Sequence, residues 1–131
     1  NWLATEAKSQ YVEFVEDAHY TANWERALRS KMAAALVGRL NNTYDIDLMI
    51  AAGTAAGQDL ANNNHHTPTM VISASDPLAS EIIKSVEDSG YDHIHARIDP
   101  YRYERQIMIF YDIIGFQKLG VAYEDTVAGR S

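Results

Sequence analysis

Cysteine is absent from this 131-residue sequence, which removes disulfide scaffolds, thiolate metal sites and cysteine nucleophiles from consideration. Its absence leaves the compartment open, because cytosolic proteins and many exported bacterial proteins dispense with it alike. Cations are scarce as well: 11 Lys and Arg stand against 18 Asp and Glu, for a formal net charge of -7. A surface that tracks nucleic-acid phosphates needs clustered cations to displace counterions, and those here are scattered among acids, so no nucleic-acid partner is expected. No apolar run is long enough to cross a bilayer, so no span is expected within the sequence. The opening residues, Asn1 to Glu6, have neither the basic nor the apolar region of a secretory signal, which places any export signal upstream. There is no Gly-x-Ser-x-Gly elbow, Walker loop or Gly-x-Gly-x-x-Gly turn; Gly53 to Gly57 is too short for a phosphate loop and lacks its lysine. No cofactor, metal or catalytic residue is expected on these grounds.

The chain is long enough for one domain with a hydrophobic core, since a domain of this size buries roughly two thirds of its unfolded surface. Its elements alternate. Tyr11 to Val15 is a short β-branched and aromatic run that predicts a strand. Asn23 can cap a helix whose stripe, Trp24, Leu28, Met32, Leu36 and Leu40, recurs every four residues and whose end falls at Asn41 and Asn42. Ile46 to Ala52 predicts a strand so apolar that it calls for cover on both faces. Thr54 can cap a short helix reaching Asn62, and the following Asn62 to His66 reads as a solvated loop with its two imidazoles pointing apart. Thr69 to Ala74 predicts another strand. Asp76 and Pro77 open a predicted helix with Leu78, Ile82, Ile83 and Val86 on its inner face and Gly90 at its end. His93 to Ile98 predicts a strand, Asp99 and Pro100 start a helix with a buried face of Tyr103, Ile107, Phe110, Tyr111 and Ile114, and Leu119 to Tyr123 closes the series as a strand. This alternation implies an α/β fold, a three-layer sandwich around a mainly parallel sheet.

In such sheets ligands bind beyond the carboxyl ends of the strands. Two segments hold that position. In the first, Gly53 lets a ligand approach the backbone while Thr54 and Ala55 lead into a helix, an arrangement that favours a carboxylate. In the second, Ser75 offers a hydroxyl and Asp76 a partner for an amine, although Thr54 and Asp76 also suit plain helix capping. His93 and His95 share one strand face, a spacing that can suit a divalent ion, but no acid completes a ligand set and a polar surface or pocket is the expected role.

The runs Asp47 to Ala56, Thr67 to Leu78 and Lys118 to Tyr123 together resemble the substrate-binding family of ABC transporters that includes tryptophan- and tyrosine-binding lipoproteins. The resemblance extends from about Tyr11 to the end of the chain. It implies one lobe of a type I periplasmic-binding fold, Rossmann-like, with residues 1–98 forming most of the first lobe and its first strand lying upstream. Residues 99–131 would be the crossover and the opening helix and strand of lobe two, and Asn1 to Ser9 the tail of the first helix. The implied protein is not an enzyme. It is extracytoplasmic, anchored by an upstream signal or lipid, and hands a small solute such as an amino acid to an ABC permease. Gly53, Thr54, Ser75 and Asp76 match positions that face the family's interlobe cleft. The sequence departs from the family after Gly90, where His93-Ile94-His95-Ala96-Arg97 replaces a run of small polar residues. That departure implies a more polar or anionic solute, with His95 at the crossover and Arg97 pairing a carboxylate.

Two other classes share the alternating pattern. A flavodoxin- or receiver-like module fits the length, but a receiver needs an acidic pair and a strand-ending aspartate where this sequence has Ala52. An enzyme using His93, His95 and Asp76 or Asp99 would need a mutual geometry that no spacing here fixes.

Overall fold

The computed structural model describes residues 11–23, 25–99 and 101–122. Among these residues three helices, α1 (Arg26–Asn42), α2 (Thr54–Leu60) and α3 (Arg102–Ile114), accompany three strands, β1 (Met49–Ala52), β2 (Thr69–Ile72) and β3 (Ile94–Ala96). The strands form one parallel sheet in the order β1-β2-β3, so the α/β class with a parallel sheet is established.

Register and side-chain alternation give the sheet two unlike faces. The rows Met49–Thr69–Ile94 and Ala51–Val71–Ala96 point to one side, where all but the half-buried Met49 are buried. Between them lies Ile50–Met70–His95, in which Met70 and His95 are exposed and Ile50 half-buried. The period of two along each strand makes this separation automatic once one row is buried. The expected cover on both faces is therefore not present among the described residues: the packed face carries the core, and the sheet is open on the other.

Leu36 and Leu40 of α1, Leu60 of α2, Val71, Ala51, Ile82, Ile83 and Ile94 make up most of that core. The stripe predicted for α1 buries only its last two members, while Leu28 and Met32 stay half-buried; Trp24 and the tail assigned to Asn1 to Ser9 lie outside the described residues, as do Pro100 and Tyr123. Asn41 and Asn42 do not turn the chain. Their amides donate to the carbonyls of Asn64 and Gly38, and the left-handed residue after the helix is Tyr44, at φ 54°.

Tyr11 to Val15 forms no strand. The chain that follows it is tied to α1 by Arg39, which donates to the Asp17 carboxylate and carbonyl and to Tyr20 Oη, and also to Asp45. This guanidinium bond holds the Asp45 carboxyl below its ordinary range.

The largest departure lies between β2 and β3, where Asp76 to Gly90 forms turns in place of the predicted helix. Asp76 caps as expected, its Oδ1 accepting from the N–H groups of Leu78 and Ala79. Beyond one turn the backbone leaves the helical path: Ile82 and Ile83 both donate to the Pro77 carbonyl, and Glu81 is left-handed at φ 56°. Further on, side chains take the N–H groups that a helix would use. Ser85 Oγ accepts from Glu87 and Asp88, Asp88 Oδ1 accepts from Gly90, and Ser89 Oγ accepts from Tyr91. Such local bonds compete directly with helix formation. Ile82 and Ile83 are buried as expected, whereas Leu78 and Val86 are exposed.

Helix α3 forms where predicted, but none of its residues is buried, so Tyr103, Ile107, Phe110, Tyr111 and Ile114 are exposed and not a packed face. Leu119 to Ala122 is irregular and forms no strand.

Candidate functional site

The carboxyl ends of β1 and β2 meet where the two predicted turns lie. Gly53 continues the ladder by donating its N–H to the Ile72 carbonyl at 2.8 Å, then departs at φ 95° into α2. That left-handed backbone suits glycine, and the space where a Cβ would stand is open. After β2, Ser73 is left-handed at φ 58° and turns the chain toward α2. The outcome is a contact between the turns: the Ser75 N–H donates to Thr54 Oγ1 at 3.4 Å. Thr54 thus does not cap α2, whose N-cap is Gly53. Its hydroxyl bridges two connections 21 residues apart in sequence, which no local pattern discloses.

Asp76 stands beside Ser75 with Oδ1 occupied by two backbone N–H groups. Its Oδ2 receives no hydrogen bond from the described residues. The Ala55 carbonyl is taken by Arg29 Nη2 at 3.0 Å, and the same guanidinium binds Asp59, with Nε 2.8 Å from Oδ2. Arg29 was not foreseen in sequence; it locks α1 to α2 behind the turn, and its bond to Asp59 holds the guanidinium still more firmly protonated. Gln58 completes the frame by donating to the Ser80 carbonyl at 3.1 Å.

Arg97 and His95 are positioned differently. Arg97 donates its N–H to the Val71 carbonyl at 3.0 Å, extending the β2–β3 ladder to the same edge as the turns. Its exposed guanidinium makes no hydrogen bond among the described residues, and its charge is the smallest of the effects that hold the Asp99 carboxyl low, after the ion pair with Arg105 and a backbone bond at Tyr101. His95 lies on the open face of the sheet beside Met70, away from the turns. The structure therefore gathers Gly53, Thr54, Ala55, Ser75 and Asp76, sets Arg97 at the same sheet edge, and leaves His95 apart.

No protein-family model, curated protein or solved structure matches this chain. The chemistry of the edge must be read from its own atoms. Thr54 and Ser75 bring hydroxyls, Gly53 an uncovered backbone, and, among the described residues, Asp76 a carboxylate oxygen and Arg97 a guanidinium that take part in no hydrogen bond. These groups can bind and orient a polar small molecule. Among the described residues no three His, Asp or Glu side chains are arranged to hold a metal ion, and no helix is long and apolar enough to cross a membrane.

The remaining histidines depart from expectation. His65 is fully buried, not solvated, and its ring stands edge-on to His93 with centroids 4.8 Å apart; His66 is 5.8 Å from His93. His93 consequently belongs with the loop histidines and not on a strand face with His95.

Proposed function

We propose that this chain is part of the extracytoplasmic solute-binding component of an ABC importer, binding a small carboxylate-bearing solute, such as an amino acid, without turnover. The observation that carries the reading is the junction of the Gly53-Thr54 and Ser75-Asp76 turns at the carboxyl edge of a parallel sheet. Ligands of open α/β sheets bind at that edge. In this reading Thr54 and Ser75 contact the solute, Asp76 Oδ2 receives an amine, and Arg97 pairs a carboxylate as a charge-assisted donor. His95, on the open sheet face, is the residue of the set least able to take part.

The sheet is one lobe, or most of one, of a type I periplasmic-binding fold, with residues 1–98 in the first lobe and 99–131 starting the second. The exposed apolar side of α3 and the open sheet face are what such a division leaves uncovered. Lobe closure would then follow from contacts that both lobes make with the bound solute, favouring the closed state. The partner is an ABC permease in the membrane.

Isothermal titration of the full-length protein against a panel of amino acids and small dicarboxylates tests the assignment. Saturable one-site binding, weakened at least tenfold by Thr54→Val and by Arg97→Ala, is the expected result. Absence of binding across the panel, or wild-type affinity in both variants, overturns it. Product formation from a bound solute would favour an enzyme instead.

A further inference from the structure

The amino-terminal edge of the sheet, opposite the turns, holds a cluster of three histidines that solute binding does not use. His65 is 0 % exposed. Its Nε2 lies 2.9 Å from the Leu60 carbonyl at the end of α2, and His93 Nε2 lies 3.1 Å from the Asn62 carbonyl. A carbonyl only accepts, so both rings carry their proton on Nε2. His65 Nδ1 is then a buried lone pair, and it has no hydrogen-bond partner among the described residues.

His93 and the loop that carries His65 and His66 knit several elements together. The Pro68 carbonyl accepts from Met49 of β1, and the His93 carbonyl accepts from Thr69 of β2, at 2.8 and 2.7 Å. Asn41 of α1 holds the loop through the Asn64 carbonyl. The rings therefore sit where the entries to all three strands are fastened.

We propose that His65, His66 and His93 form a proton-operated latch, in which protonation at mildly acidic pH expels His65 and frees residues 61–68 together with the entries to β2 and β3. A second proton on the buried ring would place charge in an apolar site, which the Thr67 backbone compensates only in part. Its neighbours add repulsion. His66 from the same loop and His93 before β3 are the titratable groups that act on it, with Tyr91 behind His93. From α2 it meets the Leu60 carbonyl, and from the approach to β2 the Thr67 backbone. The Asp59 carboxylate of α2 is engaged by Arg29, and among the described residues no carboxylate pairs with any of the three rings.

Burial first, then the neighbouring imidazoles, hold His65 below the ordinary imidazole value, and the backbone bonds do not offset this. The open state consequently binds more protons than the closed one. Closure is fully favoured above the ordinary value of about 6.5, weakens as pH falls through it, and levels off below the folded value.

Ring 15N chemical shifts and amide hydrogen exchange, followed on the full chain from pH 8 to pH 5, test the latch. While closed, His65 is expected to remain neutral and Nε2-protonated below pH 6.5. Opening at amides 62–67, corrected for intrinsic exchange, should rise about tenfold per pH unit for a single proton. His93→Phe keeps an edge-on ring but removes a titratable neighbour that disfavours protonated His65, so opening should level off after a smaller total rise. A His65 that titrates at the ordinary value with the loop still protected at pH 5 would overturn the latch. Protection lost evenly over the whole chain would do the same. Both readings come from the unsubstituted protein and stand even if a histidine variant does not fold.

Discussion

The two connections that cross the packed face of the sheet solve one problem in different ways. Between β1 and β2 the chain makes the short helix α2, whose Gly57 lies so close to the sheet that an added Cβ would stand 2.8 Å from both Val71 Cγ1 and Ile82 Cδ1. Between β2 and β3 it makes turns, and presses Ile82 and Ile83 into the space beside α2. The first is regular because nothing in Thr54 to Leu60 competes with its backbone bonds. The second leaves the helical path after one turn, at the left-handed Glu81, and beyond it Ser and Asp side chains bind the nearby N–H groups that a helix would use. Covering a sheet requires apolar side chains at the right places, not a particular backbone conformation.

Substitutions at these two connections can break or sharpen that contrast. Ile82 is fully buried, so Ile82→Ala should produce the largest effect, a loss of about 2–5 kcal/mol in urea unfolding. A loss below about 1 kcal/mol would mean that the turns do not complete the core. Gly57→Ala should cost about 1–3 kcal/mol by overpacking against Val71 and Ile82. The same change is favourable in an unobstructed helix, so a stabilised variant would show that α2 stands off the sheet.

Glu81 gives a test of sign. Its left-handed backbone is strained for a residue with a Cβ, so Glu81→Gly should be neutral or stabilising by up to about 1 kcal/mol. In the helix that the periodicity predicts, the same change would cost about 1 kcal/mol. The smallest effects are expected at Leu78 and Val86. Both are exposed, and Leu78→Ala and Val86→Ala should each fall within about 0.5 kcal/mol of wild type. Losses like that of Ile82→Ala would restore the predicted helical stripe.

The strands β1, β2 and β3 lie within the expected runs: for β1 and β2 because apolar segments bounded by Gly, Pro and polar residues have few other uses in a chain of this size, and for β3 because Ile94 and Ala96 alternate with the exposed His95. The cap at Asp76 was also legible, since it depends on residues two and three positions away. The candidate site was legible as two separate turns. Their contact through Thr54 and Ser75, and the Arg29 clamp behind them, was not, because each joins residues more than 20 positions apart. His65 shows the same limit. An Asn-rich surround reads as solvated, and only packing against Leu60 and His93 buries the ring.

The sequence by itself determined the α/β class, the three short strands, α1, α2 and α3 and the capping at Asp76, since each rests on periodicity or on bonds between close neighbours in the chain. Tertiary structure alone decided that one face of the sheet is packed and the other open, that residues 77–90 cover it without a helix, that α3 buries none of its apolar residues, and that three histidines meet. Burial is a property of what lies opposite a side chain. A periodic stripe specifies which residues share a face, while the neighbour that covers that face, or leaves it bare, comes from elsewhere in the chain.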